Sequence, residues 1–261
     1  MRASTSVRIT EDWDEGQDAF RVSTASARYY LQKQAGGFSS IHDVEGLDWV
    51  GFKATDYGGR PGDAAGIYRG LPNLVWPDNL GHPGHTGVQS RQTSGNVITS
   101  VTDDGDWEWT WSFFDDGAEL EVIRASADKK YWFLYEGTQG GRFDPARSFW
   151  GTERHGRRRD TPDCHTASEF HDHWKATYFG FDGVGRVFYA AMHCDEAPLN
   201  LMSYMGSTRD SLTSPDGMTV FGFGRGVGPV SLLKGPARFS IGFVETTDHA
   251  TIQRHFERLL A

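Results

Sequence analysis

Trp107, Trp109, Trp111 and Phe113 stand at every second position, with Glu108, Thr110 and Ser112 between them. A period of two puts the four aromatic side chains on one face of a β-strand and the polar residues on the other. Asp115-Asp116-Gly117 then supplies turn residues, and Leu120 and Val122 continue the apolar face on a return strand. A hairpin with three indoles on one face needs a second layer to cover it, so the ladder predicts the core of a β-sandwich. An exposed platform for stacking sugar rings is the alternative use of such a face.

The same short-period pattern recurs along the chain. Residues 19–24, 27–32, 38–42, 49–52, 96–101, 131–136, 176–181, 186–192, 218–223 and 238–244 read as strands, with 43–46 as the turn of a hairpin between 38–42 and 49–52. The 32 glycines and an aromatic fraction of 13% suit strands and turns better than helices. No repeat and no linker interrupts the pattern, which predicts a single domain over residues 1–261. One segment departs from it: Ile252, Phe256, Leu259 and Leu260 make one apolar stripe at helical spacing. A helix over about 248–260 follows, with Thr247 or Asp248 as its cap. The expected fold is all-β, a large antiparallel β-sandwich of supersandwich or jelly-roll type closed by a C-terminal α-helix.

A formal charge of −9 disfavours nucleic acid as a partner. No apolar run is long enough to span a membrane, and the amino-terminal residues lack the apolar stretch of a secretion signal. The default expectation is a cytoplasmic protein, although a trimmed secreted form would read the same way. Cys164 and Cys194 are then expected as two thiols rather than one bridge.

Several groups of residues can carry chemistry. His82 and His85 flank Pro83-Gly84, a pair that holds two imidazoles at a defined separation and makes them candidate catalytic bases. His171 and His173 lie two apart on one strand face and, with His193, form a candidate site for a divalent metal, or else are incidental imidazoles. Arg154, His155, Arg157, Arg158 and Arg159 make a basic loop that could hold an acidic sugar, or could pair with neighbours such as Glu153 and Asp160. Tyr68, Arg69, Asn73 and Trp76 are residue types that line sugar clefts. In the 131–137 strand, Tyr131, Phe133 and Tyr135 face one way, and Trp132, Leu134 and Glu136 the other. Tyr135 is a candidate acid, and Glu136 a candidate acid or base. Asp172, Asp195, Glu196, Glu136 and Glu108 all qualify for a two-carboxylate mechanism, and only their separation would choose among them.

The stretches 68–75, 131–138 and 217–225 resemble a group of bacterial β-sandwich proteins, and the overall pattern is loosely similar to the galactose-mutarotase-like supersandwich. That resemblance implies a protein that binds or processes carbohydrate, as epimerases, lyases and hydrolase domains of this kind do. The Asn-x-x-x-His signature of aldose epimerases is not clearly present. The leading expectation is a lyase that cleaves a uronate-containing glycan by β-elimination. Arg69, Arg154 and Asn73 would neutralise the carboxylate, His82 or His85 would act as base, and Tyr68 or Tyr135 as acid. A glycoside hydrolase using a carboxylate pair and a non-catalytic or mutarotase-like carbohydrate binder are the alternatives. The expected partner is a carbohydrate, an acidic oligosaccharide under the lyase reading; no cofactor is required, and a divalent metal is the option at His171, His173 and His193.

Overall fold

The computed structural model describes residues 2–53, 69–74, 80–166, 168–206, 212–214, 217–228 and 230–261. Four strands open the chain: β1 (Arg8–Asp14), β2 (Gln17–Ser23), β3 (Ala27–Gln32) and β4 (Gly37–Asp43). Then come β5 (Val88–Ser94), β6 (Val97–Thr102), β7 (Glu108–Phe114), β8 (Gly117–Arg124), β9 (Phe133–Gly137), β10 (Ser148–Thr152) and β11 (Phe170–His173). The last are β12 (Ala176–Phe181), β13 (Val187–His193), β14 (Leu199–Met205), β15 (Met218–Phe223), β16 (Arg225–Gly226), β17 (Val230–Ser231) and β18 (Ala237–Val244), followed by helix α1 (His249–Leu260).

An eight-stranded antiparallel sheet, β10-β12-β13-β18-β8-β7-β6-β5, forms one layer. Two four-stranded sheets, β1-β2-β3-β4 and β11-β14-β15-β9, form the other. The residues 69–74 join those two sheets. Leu71 bridges Phe38 on β4, and Gly70 bridges Glu136 on β9. The strip thus satisfies the edge groups of two sheets at once and turns them into one layer.

The layers meet through aromatic side chains. Phe38 lies 4.7 Å from Trp111, and Phe133 stacks on Phe239 at 4.6 Å and 18°. Trp107, Trp109, Trp111 and Phe113 are all buried, so the indole ladder is sandwich core and not a surface platform. One cross-layer contact is ionic. Arg186, 7% exposed at its side chain, reaches the fully buried Asp43 at 3.0 Å, Glu45 at 3.2 Å and Glu245 at 3.0 Å. The expected hairpin arm at 49–52 is not a strand. Trp49 and Phe52 still donate to the Ile41 and Ser39 carbonyls, but Asp48 takes the Ile41, Val50 and Gly51 amides and bends the chain out of register.

Helix α1 begins where the sequence places it, with the Asp248 side chain accepting from the Thr251 amide. Its apolar stripe covers the outer face of the eight-stranded sheet: Ile252 and Phe256 bury against Phe149, Ala176, Tyr178, Val187, Tyr189 and Ala191. No described helix is long and apolar enough to cross a membrane. Cys164 and Cys194 are unbridged, and burial pushes the Cys164 thiol up to about 12, so it stays protonated.

Two substitutions probe this packing. Phe256→Ala should lower unfolding stability by about 3–5 kcal/mol in a denaturant titration, through loss of the contact with Tyr178 and Tyr189. Arg186→Leu should lower it by a similar ~3–5 kcal/mol, because Asp43 is left charged and buried. A loss below about 1 kcal/mol in either would contradict the packing described.

Candidate functional site

The join between the two small sheets is also where the chemically useful residues meet. The Gly70 amide donates to the Glu136 carbonyl at 2.7 Å, and the Glu136 amide returns the bond at 3.0 Å. This fixes Glu136 on β9 with its side chain on the face opposite Tyr135. His82 arrives from the 80–85 turn, and its Nε2 lies 3.5 Å from Glu136 Oε2. Both side chains are nearly enclosed, at 2% and 11% exposure. The turn relies on positive φ at Gly81 (74°) and Gly84 (82°), which glycine adopts without strain.

Gly70 is required by the approach of His82. A Cβ there would lie 2.4 Å from Pro83 Cδ and 3.2 Å from His82 Nε2. The His82 Nδ1 lies 2.9 Å from the Pro83 carbonyl oxygen. A carbonyl only accepts, so Nδ1 carries the hydrogen and Nε2 presents a lone pair to Glu136 when the ring is neutral. An imidazole lone pair and a carboxyl group 3.5 Å apart place two groups able to take up or give a proton at one point.

His85 extends the group. Its ring stands perpendicular to that of His82, with centroids 5.6 Å apart and an angle of 88°. Burial, with His82 as the second cause, pushes its pKa down to about 4, so the ring is neutral at pH 7. Phe52 closes another side of His82, edge to face at 6.4 Å. Arg69 is buried beside Gly70, and its guanidinium donates to the Gly51 carbonyl at 3.0 Å and the Gly217 carbonyl at 2.8 Å. Arg69 therefore ties three chain segments together at the site. Asn73 is buried on the same strip.

Five of the sequence candidates, His82, His85, Glu136, Arg69 and Asn73, thus belong to one region. Tyr68 and Trp76 lie outside the described residues. Tyr135 does not belong: it is core, its hydroxyl donates to the Trp49 carbonyl at 2.6 Å, and burial raises its pKa well above the ordinary range. It cannot serve as the acid expected of it. Arg154 and His155 stand elsewhere, between β10 and β11. Arg154 donates to the His173 carbonyl, and His155 Nε2 meets Asp172 at 2.6 Å, which holds that carboxyl below its usual range.

Arg157, Arg158 and Arg159 of the basic loop are each engaged by an acid. Arg157 and Arg159 both pair with Asp182, and Arg158 pairs with Asp160. Their planes also cover Phe149, Trp150 and Phe170. The metal trio is dispersed as well. His171 pairs with Glu169, His173 Nδ1 faces the Ala197 carbonyl, and His193 on β13 meets Ser240. Among the described residues, no group of three or more His, Cys, Asp or Glu is placed to hold a metal ion. Gly70 and Phe52 are the site residues that the sequence analysis does not single out, and no local pattern marks them.

The lowered pKa of His85 has a sign that can be checked. An unfolded histidine takes its proton near 6.5, whereas folded His85 resists until about 4. Below 6.5 the unfolded state therefore binds more protons, and stability falls as the pH drops from 6.5 to 4. His85→Gln should flatten the loss of Tm over that window, measured by thermal denaturation at stepped pH. An unchanged slope would show that His85 titrates normally.

No protein-family model matches the sequence, and no curated protein matches it. Solved structures do. A galactose mutarotase-like protein from Lactobacillus casei superposes with a TM-score of 0.54 at 9% identity, covering 87% of this chain and 100% of that one. A putative aldose 1-epimerase from Escherichia coli K12 gives 0.50 at 10% identity, over 87% and 99%. An α-N-acetylgalactosaminidase from Bifidobacterium bifidum gives 0.55 at 9% identity, covering 92% of this chain and 38% of that one. With its two antiparallel layers joined through the Gly70–Leu71 strip and its C-terminal helix, the chain has the galactose mutarotase-like β-sandwich fold.

Proposed function

We propose that this protein is carbohydrate-active and interconverts the anomers of a free aldose by proton transfer at His82 and Glu136. The observation that carries the reading is the 3.5 Å approach of His82 Nε2 to Glu136 Oε2, in a fold similar to that of mutarotase-like proteins. The reaction needs one base and one acid and no redox partner. The base removes the proton of the anomeric hydroxyl, and the acid protonates the ring oxygen. The C1–O5 bond breaks to give the open aldehyde, C1 turns about its bond to C2, and the reverse transfers close the ring on the other face. Atoms and charge balance, since the proton taken at one oxygen is matched by the proton given at another. The His82–Glu136 pair fits this demand because it sets two groups capable of general acid and base work side by side.

The elimination reading has less support. Of its two candidate acids Tyr135 is sealed in the core and Tyr68 lies outside the described residues, and Arg154 is tied to the His173 carbonyl. The two-carboxylate hydrolase reading is not favoured either. Asp172 pairs with His155, Glu108 pairs with Arg124, and Asp195 lines a cavity with Lys175 and His193.

Polarimetry of freshly dissolved α-anomers of several aldoses tests the proposal. The protein should speed the approach to equilibrium rotation, and His82→Asn or Glu136→Gln should slow catalysis by about 10²-fold or more with the fold retained by circular dichroism. Uronate polymers should give no ultraviolet chromophore. No acceleration across the aldose panel, or full activity in both variants, would refute the proposal.

A further inference from the structure

The arginine run 157–159 spends its charge on Asp182 and Asp160, but other arginines in the molecule do not. On the outer face of the eight-stranded sheet, beside α1, a cavity of ≈ 460 Å³ is lined by Arg2, Arg238, Arg258, His193 and His255, together with Asp116 and Glu119. Arg2 uses its Nε and Nη2 on Asp116, at 3.0 and 2.6 Å, which cancels that carboxylate. The remaining Arg2 nitrogen, Nη1, is buried with no hydrogen-bond partner among the described residues, and so is His255 Nε2. Arg238 and Arg258 have neither a hydrogen bond nor an ion pair among the described residues. With Glu119 as the other acid, the lining carries one net positive charge, and the two exposed guanidinium groups have donors to spare.

Each of these groups is held by the fold. Arg238 and Ser240 alternate with the core residues Phe239 and Ile241 on β18, so they face α1. His193 continues the α1-facing row of Tyr189 and Ala191 on β13, and its Nε2 is 2.7 Å from Ser240 Oγ. His255 packs edge to face on Tyr189 at 4.8 Å, and its neighbour Phe256 anchors the helix. The field at the cavity is positive. After burial, Arg238 and Arg2 are what push His193 down to about 4, and Arg258 contributes to the lowering of His255.

We infer that this cavity is an oxyanion site for a small phosphate monoester. Arg238 and Arg258, both exposed, supply charged donors, and Arg2 and His255 form the wall behind them. A planar carboxylate engages one guanidinium fork, whereas a tetrahedral dianion can use donors that approach from several directions. The volume lies within the range of roughly 300–1,000 Å³ typical of small-molecule sites and exceeds what a bare phosphate needs. A second cavity of ≈ 290 Å³ shares His193 and Arg238 and adds Lys175, Asp195, Cys194 and the apolar Leu259 and Leu260, giving the hydroxyl-bearing organic part of the ester a place to run. None of these residues belongs to the His82–Glu136 group, so the site is independent of the proposed reaction.

Calorimetry and ³¹P line broadening on the full chain test the inference, with inorganic phosphate and glycerol 1-phosphate as probes. The ester should bind, and bind tighter than inorganic phosphate by about tenfold. Arg238→Gln combined with Arg258→Gln should weaken the ester about tenfold or more while leaving the Tm of the free protein unchanged, since both side chains are exposed. His82→Asn should leave ester binding as it is. The inference is overturned by any of four results: no binding at about 10 mM ester, equal affinity for the two probes, undiminished binding in the arginine variant, or loss of binding in His82→Asn.

Discussion

Two backbone bridges, Phe38 to Leu71 and Gly70 to Glu136, decide much of what this molecule is. Without them Phe38 on β4 and Glu136 on β9 would lose their edge partners, and only the 48–52 segment would link the two sheets that face the eight-stranded one. With them, aromatic side chains of both pieces lie over one continuous partner, as Phe38 does on Trp111 and Phe133 on Phe239. The same bridges fix the chemistry. Gly70 can pair with Glu136 only because it lacks the side chain that would strike Pro83, and that close passage is what brings His82 to Glu136. Fold and site therefore share one constraint, and a change at Gly70 acts on both.

Charge is distributed by a second rule. Where arginines occur on a loop they find acids nearby in space: Arg157 and Arg159 share Asp182, and Arg158 takes Asp160. Where one is buried, as Arg186 is, three carboxylates surround it. Each pairing lowers the cost of desolvating the charge and removes it from use by a ligand. Arg238 and Arg258, both exposed, follow neither pattern: they border the cavity beside α1 without an ion pair among the described residues.

The elements that local pattern encodes were legible in the sequence. The indole ladder needed only a period of two, and α1 only its apolar stripe and Asp248. The same period separated the two faces of β9, with Tyr135 on one and Glu136 on the other, but did not say which of them is core. What failed depended on residues distant in sequence. Of the two readings of the basic loop, pairing with Asp160 was visible locally and occurs at Arg158, whereas Asp182 lies 25 positions from Arg157 and no local pattern points to it. The acid role given to Tyr135 ignored what its inward face implies, namely a hydroxyl bonded to the Trp49 carbonyl and a phenol sealed from solvent. His82 and Glu136 were each visible as candidates, but their meeting depends on a strip pairing that no local period encodes.

The helix shows how packing and ligand chemistry become one problem. Phe256 seats between Tyr178 and Tyr189, and this fixes the rotation of α1 on the sheet. His255 adjoins it in sequence, and Arg258 lies two further on, at the edge of the same contact. Once the apolar stripe is docked, those two side chains have little choice but to border the gap left beside Arg238 and His193. The cavity thus arises from a helix that covers β12 and β13 but not the outer ends of β18 and β8. Filling it with an anion needs no rearrangement of the core, because the donors already stand on elements held by apolar burial. It also stands on the sheet opposite the layer that carries Glu136. A ligand there could influence His82 only through a conformational change spanning both layers, and the rigid aromatic seam between them argues against one.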